Sequence, residues 1–232
     1  MRFIFGSGVS ANSKNADGER PKTWVEVLKL GINRLPNTVT KKQKGVVSKA
    51  INNGDLLLAC ELLRKHLGPD DYKDLLKSEF FDKHFLKATI HEEIEQLDSR
   101  IVVTPNFDQI YERYVHSIPG NDVVVVKYND NNIADVIRSA HRLIIKSHGD
   151  ITAGDDIIFT KADYAKARSE YAQFYSVLDA LLLTHTFVCC WGAAGWAAVC
   201  WARSRVCFAI SASIGQQPRQ EEPSSASLSP TV

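Results

Sequence analysis

The 232 residues are 44% hydrophobic and 24% charged, the balance of a folded, water-soluble chain, which excludes wholesale disorder. With 28 basic against 27 acidic side chains the formal net charge is +1, so composition gives no basis for binding nucleic acid or an anionic membrane. The five cysteines are an odd number and no secretory signal opens the sequence; we therefore expect no disulfide scaffold and a cytoplasmic protein.

Phe3-Ile4-Phe5 is a short apolar run that stops at Gly6-Ser7-Gly8, and it reads as a strand feeding a tight turn. A polar loop from Ala11 to Lys22 follows. Thr23 then opens a helix whose apolar residues Trp24, Val27, Leu28 and Leu35 fall at helical spacing before Pro36. From about Thr40 to Leu97 every pattern is helical. Val46, Val47, Ala50 and Ile51 share one face. Leu57, Leu58, Leu62 and Leu63 share another, capped by Asp55 and stopped at Gly68-Pro69. Phe85, Ile90, Ile94 and Leu97 make a further amphipathic stretch, with His84 and His91 assigned to solvated helix faces.

Strand character returns at Ile101-Val102-Val103-Thr104 and breaks at Pro105. A helix is expected from about Asp108 to Val115, then β-branched runs at 123–126 and 143–146 and a short fourth strand at Ile157-Ile158-Phe159. Thr160 to Asp163 has the form of a capping box for a helix through Tyr164 and Ala167. Phe174 to Leu183 gives one more helix, and Thr186-Phe187-Val188 one more strand. Short apolar strands alternating with helices predict an α/β, Rossmann-like parallel sheet with both faces covered, carrying residues 22–97 as a helical insertion after the first strand.

Composition changes near Val188. Up to Asp179 there are 16 Lys and 16 Asp, and from Ala180 to Val232 there is neither, where about nine would be expected. Three of the four tryptophans and four of the five cysteines crowd into 189–207, ahead of a polar Pro/Ser-rich tail. Three readings compete. A membrane helix over 180–202 has the length, but Thr184, His185 and Thr186 interrupt it, so a membrane partner is not expected. A Cys/Trp-rich subdomain lacks the paired spacing of a zinc site. In the third reading the frame slips: Cys-Cys-Trp-Gly read one base earlier yields a Leu-Leu-Gly strand end, so the native domain closes at 188 and 189–232 is aberrant.

Three polar motifs share one address. Gly6-Ser7-Gly8-Val9-Ser10, Asn106-Phe107-Asp108 and His148-Gly149-Asp150 each follow a predicted strand, and in a doubly wound sheet such loops line one ligand-binding edge. Glycines let backbone amides approach a pyrophosphate, an Asn amide can hold a ribose hydroxyl or a water, and a histidine can act as a base near neutral pH. Taken singly, each has a plain alternative: a strand-to-loop turn, a helix cap, a structural histidine. The Lys41-Lys42-Gln43-Lys44 run is read as an exposed helix start, Asp155-Asp156 as a turn, and no metal site is assigned.

Taken together, G-S-G-V-S, T-P-N-F-D and S-H-G-D resemble the sirtuin fingerprint of a G-A-G-x-S turn, a T-Q-N-x-D segment and an H-G pair, in the same order. The I-I-F-T-K-A-D-Y segment (157–164) is similar to the sirtuin-like NAD hydrolases of bacterial defence rather than to the deacylases, and the resemblance covers about residues 2–188. It implies NAD as the substrate, Asn106 and His148 as catalytic residues, and Gly6, Ser7, Gly8, Val9, Ser10, Asp108 and Gly149 as NAD-binding. It also implies a homo-oligomer working with a separate sensor protein in antiphage defence. Two departures stand out: only Cys60 lies upstream of 189, so the deacylases' structural zinc is not expected, and Pro105 replaces the usual Gln or Thr. An inactive module that binds NAD or ADP-ribose, or a truncated remnant of the enzyme, stays open as the alternative.

Overall fold

The computed structural model describes residues 2–153 and 157–190; the expectations for Asp155-Asp156, the Trp-rich segment and the polar tail lie outside them. Among the described residues, five strands form one all-parallel sheet: β1 (Arg2–Phe5), β2 (Ile101–Thr104), β3 (Val123–Lys127), β4 (Arg142–Lys146) and β5 (Phe187–Cys190), in the order β3-β4-β2-β1-β5. Every strand is short and mostly apolar, as a sheet buried on both faces demands. β5 runs two residues beyond Val188, with Cys189 and Cys190 in register against Ile4 and Phe5.

Alternation along the strands builds a core on each face. Phe3, Phe5, Val102 and Ile144 point to one side, where they meet Ile94 of α6 (Thr89–Gln96) and Tyr111 and Val115 of α7 (Ile110–His116). Ile4, Ile101, Val103, Leu143 and Ile145 point to the other. There they meet Ile133 of α8 (Ile133–Arg138), Ala167 of α9 (Lys161–Glu170) and Phe174, Leu178 and Leu181 of α10 (Ala172–Thr184). None of the helices in the described residues is long and apolar enough to cross a membrane.

Between β1 and β2 the chain forms a short helical turn, α1 (Ser7–Ser10), and then α2 (Trp24–Arg34), α3 (Lys41–Asn52), α4 (Leu56–Leu67), α5 (Pro69–Phe80) and α6. α2 to α5 have a core of their own, centred on Val27, Leu28, Cys60, Leu63 and Leu75. The expected signals act at their ends. Thr23 and Glu26 form a reciprocal capping box, Asp55 accepts from the Leu58 amide, and Gly68 at φ +89° ends α4 and admits Pro69 as the first residue of α5. Thr160 and Asp163 cap α9 in the same way as Thr23 and Glu26 cap α2.

Two expectations fail here. Ile157-Ile158-Phe159 joins no ladder: Ile158 packs under the sheet, while Phe159 stacks on Trp24 at 4.9 Å and ties the helical layer to the sheet. A short apolar run says that it is buried, not that it is paired. His91 is fully buried at the start of α6 instead of facing solvent, its Nδ1 accepting from the Ala88 amide at 3.1 Å and its ring 6.4 Å from that of Tyr111. Burial holds its pKa below the ordinary value.

Candidate active site

The carboxyl ends of β4, β2 and β1 are neighbours in the sheet, which brings the three motif loops to one edge. Register makes the point sharper. Thr104 pairs with Lys146, so Asn106 and His148 each lie two residues beyond the same rung, and the Ser147 amide donates to the Thr104 carbonyl at 2.9 Å.

Asn106 Nδ2 donates to Ser10 Oγ at 2.9 Å, and Ser10 Oγ donates to Asp108 Oδ2 at 2.7 Å. Since the serine proton goes to the carboxylate, the serine oxygen has to accept from Asn106, and this fixes which end of the amide faces it. Asn106 Oδ1 accepts from no described residue. Asp108 Oδ1 also accepts from the Ile110 amide at 3.1 Å, so α7 opens two residues later than the expected Asp108. Ser10 and Asn106 are buried.

The glycine motif folds into α1 rather than an open loop. The Gly6 amide donates to the Cys190 carbonyl at 3.0 Å, so β5 helps hold the turn. Ser7 is exposed and Gly8 buried, and they carry the first amides of the turn, which a helix leaves without internal acceptors. Val9 contributes no free group: its side chain lies in the core with Phe3 and Phe5, and its amide is committed to the Gly6 carbonyl at 3.0 Å.

His148 is 7% exposed, with its ring edge-on to Tyr164 at 5.2 Å and its carbonyl accepting from the Ile158 amide at 3.0 Å. Neither ring nitrogen bonds to a described residue. Burial among these groups drives its pKa down to about 4, so the imidazole is neutral at physiological pH and fit to accept a hydrogen bond. Gly149 follows at φ +83°, a left-handed turn that a side chain would strain.

A second cluster escaped the sequence reading. Lys146 ends β4 with its side chain fully buried, and donates to Glu112 Oε1 at 2.6 Å, Asp150 Oδ2 at 2.7 Å and the Asp108 carbonyl at 2.7 Å. Burial alone would raise the Asp150 carboxyl, but the Lys146 ammonium and the Thr152 hydroxyl and amide outweigh it and hold it well below the carboxylate range. Burial pushes Glu112 up to about 8 against the pull of the same ammonium, so Glu112 is the member that takes up a proton first. A lysine closing the apolar run Leu143-Ile144-Ile145 was the available signal: such a strand end gives it no solvent.

The arrangement offers an acceptor at Asn106, a neutral imidazole at His148 and backbone amides at α1, with no group of three or more metal-ligating side chains among the described residues. Such a set can orient and polarise a nucleotide ribose. Residues 100–193 match the family model described as a SIR2-like domain. Over that stretch the chain is similar to SIR2-like domains. This segment holds β2 to β5 and two of the three motifs, and it points to NAD-related, sirtuin-like chemistry on a Rossmann-like α/β sheet. A search of curated proteins returned no match.

Proposed function

We propose that this SIR2-like domain cleaves the nicotinamide–ribose bond of NAD with water, releasing nicotinamide, ADP-ribose and a proton. The observation that carries the reading is the Asn106–Ser10–Asp108 chain, which unites the turn after β1 with the loop after β2, while the loop after β4 carries a buried His148 ring whose nitrogens bond to no described residue. The bond breaks through an oxocarbenium-like centre, so the protein mainly has to orient the ring and stabilise charge. Asn106 Oδ1 would hold a ribose hydroxyl or the attacking water. His148 would accept a hydrogen bond from a ribose hydroxyl; with a pKa of about 4 it acts as an acceptor and not as the final holder of the proton. The first amides of α1 would face the pyrophosphate. An NAD-depleting effector of antiphage defence, assembled as a homo-oligomer under a separate sensor, is the setting we propose for this chemistry.

The test is to incubate the purified chain with NAD, with and without an acetyl-lysine peptide, and to separate the products by chromatography. Equal amounts of nicotinamide and ADP-ribose without peptide support the reading. Release that requires the peptide would indicate a deacylase, and NAD binding without release a binding module.

A further inference from the structure

We propose that Lys146 is a positioning residue that holds the Asn106 loop and the His148 loop at a fixed separation through its three-way contact with Glu112, Asp150 and the Asp108 carbonyl. The inference rests on the NAD-cleaving reading for what is being positioned, and on geometry alone for how. An ammonium has three protons, and here each has an acceptor on a different segment: α7, the turn after His148, and the loop after Asn106. Two of those acceptors stand two residues beyond a site residue, Asp108 after Asn106 and Asp150 after His148. Further bonds brace the same pair of loops. The Ile151 amide donates to the Phe107 carbonyl at 2.9 Å, and Gln109 Nε2 reaches Asp150 Oδ1 at 3.3 Å.

Stability alone gives no reason for the cluster. Burying an ammonium with two carboxylates is costly, and apolar replacements of such clusters are often neutral or stabilising. Alternation puts Lys146 on the sheet face of Ile144, which packs with Tyr111 and Val115, so an aliphatic residue would continue that core. What an aliphatic residue could not do is fix two loops to one point. A loop displaced by about 1 Å from productive geometry can cost on the order of a hundredfold in rate.

Lys146→Met alone leaves two buried carboxyl groups without their donor and risks unfolding, so the informative variant is Lys146→Met/Glu112→Gln/Asp150→Asn, which removes the ammonium and both carboxyl groups together. In the full chain it is expected to melt cooperatively and to bind NAD within about threefold of the parent, while nicotinamide release falls by about tenfold or more. Amide hydrogen exchange is expected to rise in 106–110 and 147–152 and to stay unchanged in β1 and β2. An unchanged release rate in the folded variant would overturn the proposal, as would faster exchange spread evenly over the sheet. A parent that binds NAD but releases no nicotinamide would count against the hydrolase reading instead. The exchange experiment then decides alone, and unchanged loop exchange overturns the positioning role.

Discussion

Ser10 and Asp108, 98 positions apart in sequence, share a 2.7 Å hydrogen bond in which the serine hydroxyl donates to the carboxylate. That bond orders the rest of the site, because it leaves the serine oxygen as acceptor for Asn106 and so turns the asparagine Oδ1 away from Ser10.

Ser10→Ala removes both bonds at once. Asp108 keeps the Ile110 amide, so the loop is expected to fold at a cost of about 1–2 kcal/mol, whereas Asn106 loses its orientation. Nicotinamide release should fall by about 10- to 100-fold, chiefly in kcat. Steady-state rates on folded protein check this, and an unchanged kcat would mean that Asn106 is held by something else.

His148 makes stability depend on pH with a definite sign. Its pKa falls from the ordinary 6.5 to about 4 on folding, so the unfolded chain takes up the proton first. The contribution is fully present above pH 6.5 and is lost as pH falls toward 4, by roughly 3 kcal/mol. Relative to His148→Gln, the parent should lose about that much stability between pH 7 and 4 in denaturant titrations. Glu112, raised on folding to about 8, acts in the opposite sense, favouring the folded state less as pH rises from 4.5 to 8. Parallel profiles for parent and His148→Gln would contradict the buried, neutral imidazole.

Gly149→Ala tests the turn after His148. At φ +83° a Cβ costs about 1–2 kcal/mol, and the strain falls on the residue next to the imidazole. We expect a melting temperature lower by a few degrees and a larger loss of activity than of folded protein. Equal losses would show that the turn serves folding alone.

Gly31→Ala is the contrasting case. A Cβ there would collide with the Leu63 side chain and lie 2.9 Å from Leu75 Cδ2, in the core of the helical layer. Overpacking should cost about 1–3 kcal/mol, while activity per folded molecule stays near the parent value. Thermal melts beside active-site-normalised rates decide it, and a selective loss of activity would mean that the helical layer governs the site.

Much of the sheet was legible because its strands are mostly apolar and end in glycine, proline or a polar loop, as at Phe3–Gly6 and Ile101–Pro105. Caps were legible where the side chain acts locally, as with Thr23, Asp55 and Thr160. Burial without periodicity was not. Ile157–Phe159 looks like a strand and packs as a plug, and His91 sits on a helix with acidic neighbours yet points into the core. The three motif loops could be placed at one edge because their strands end there. The Lys146 cluster stayed hidden because its partners, Glu112 and Asp150, come from a helix and a turn whose approach no local pattern encodes.

The central claim is that three loops at one sheet edge make an NAD-cleaving site with His148 in it. The most direct measurement is the rate of nicotinamide release from NAD by the parent chain and by His148→Ala, with both shown to be folded. The account predicts release by the parent and a loss of about 100-fold or more in the variant. Equal rates in the two proteins would remove His148 from the chemistry and contradict the account.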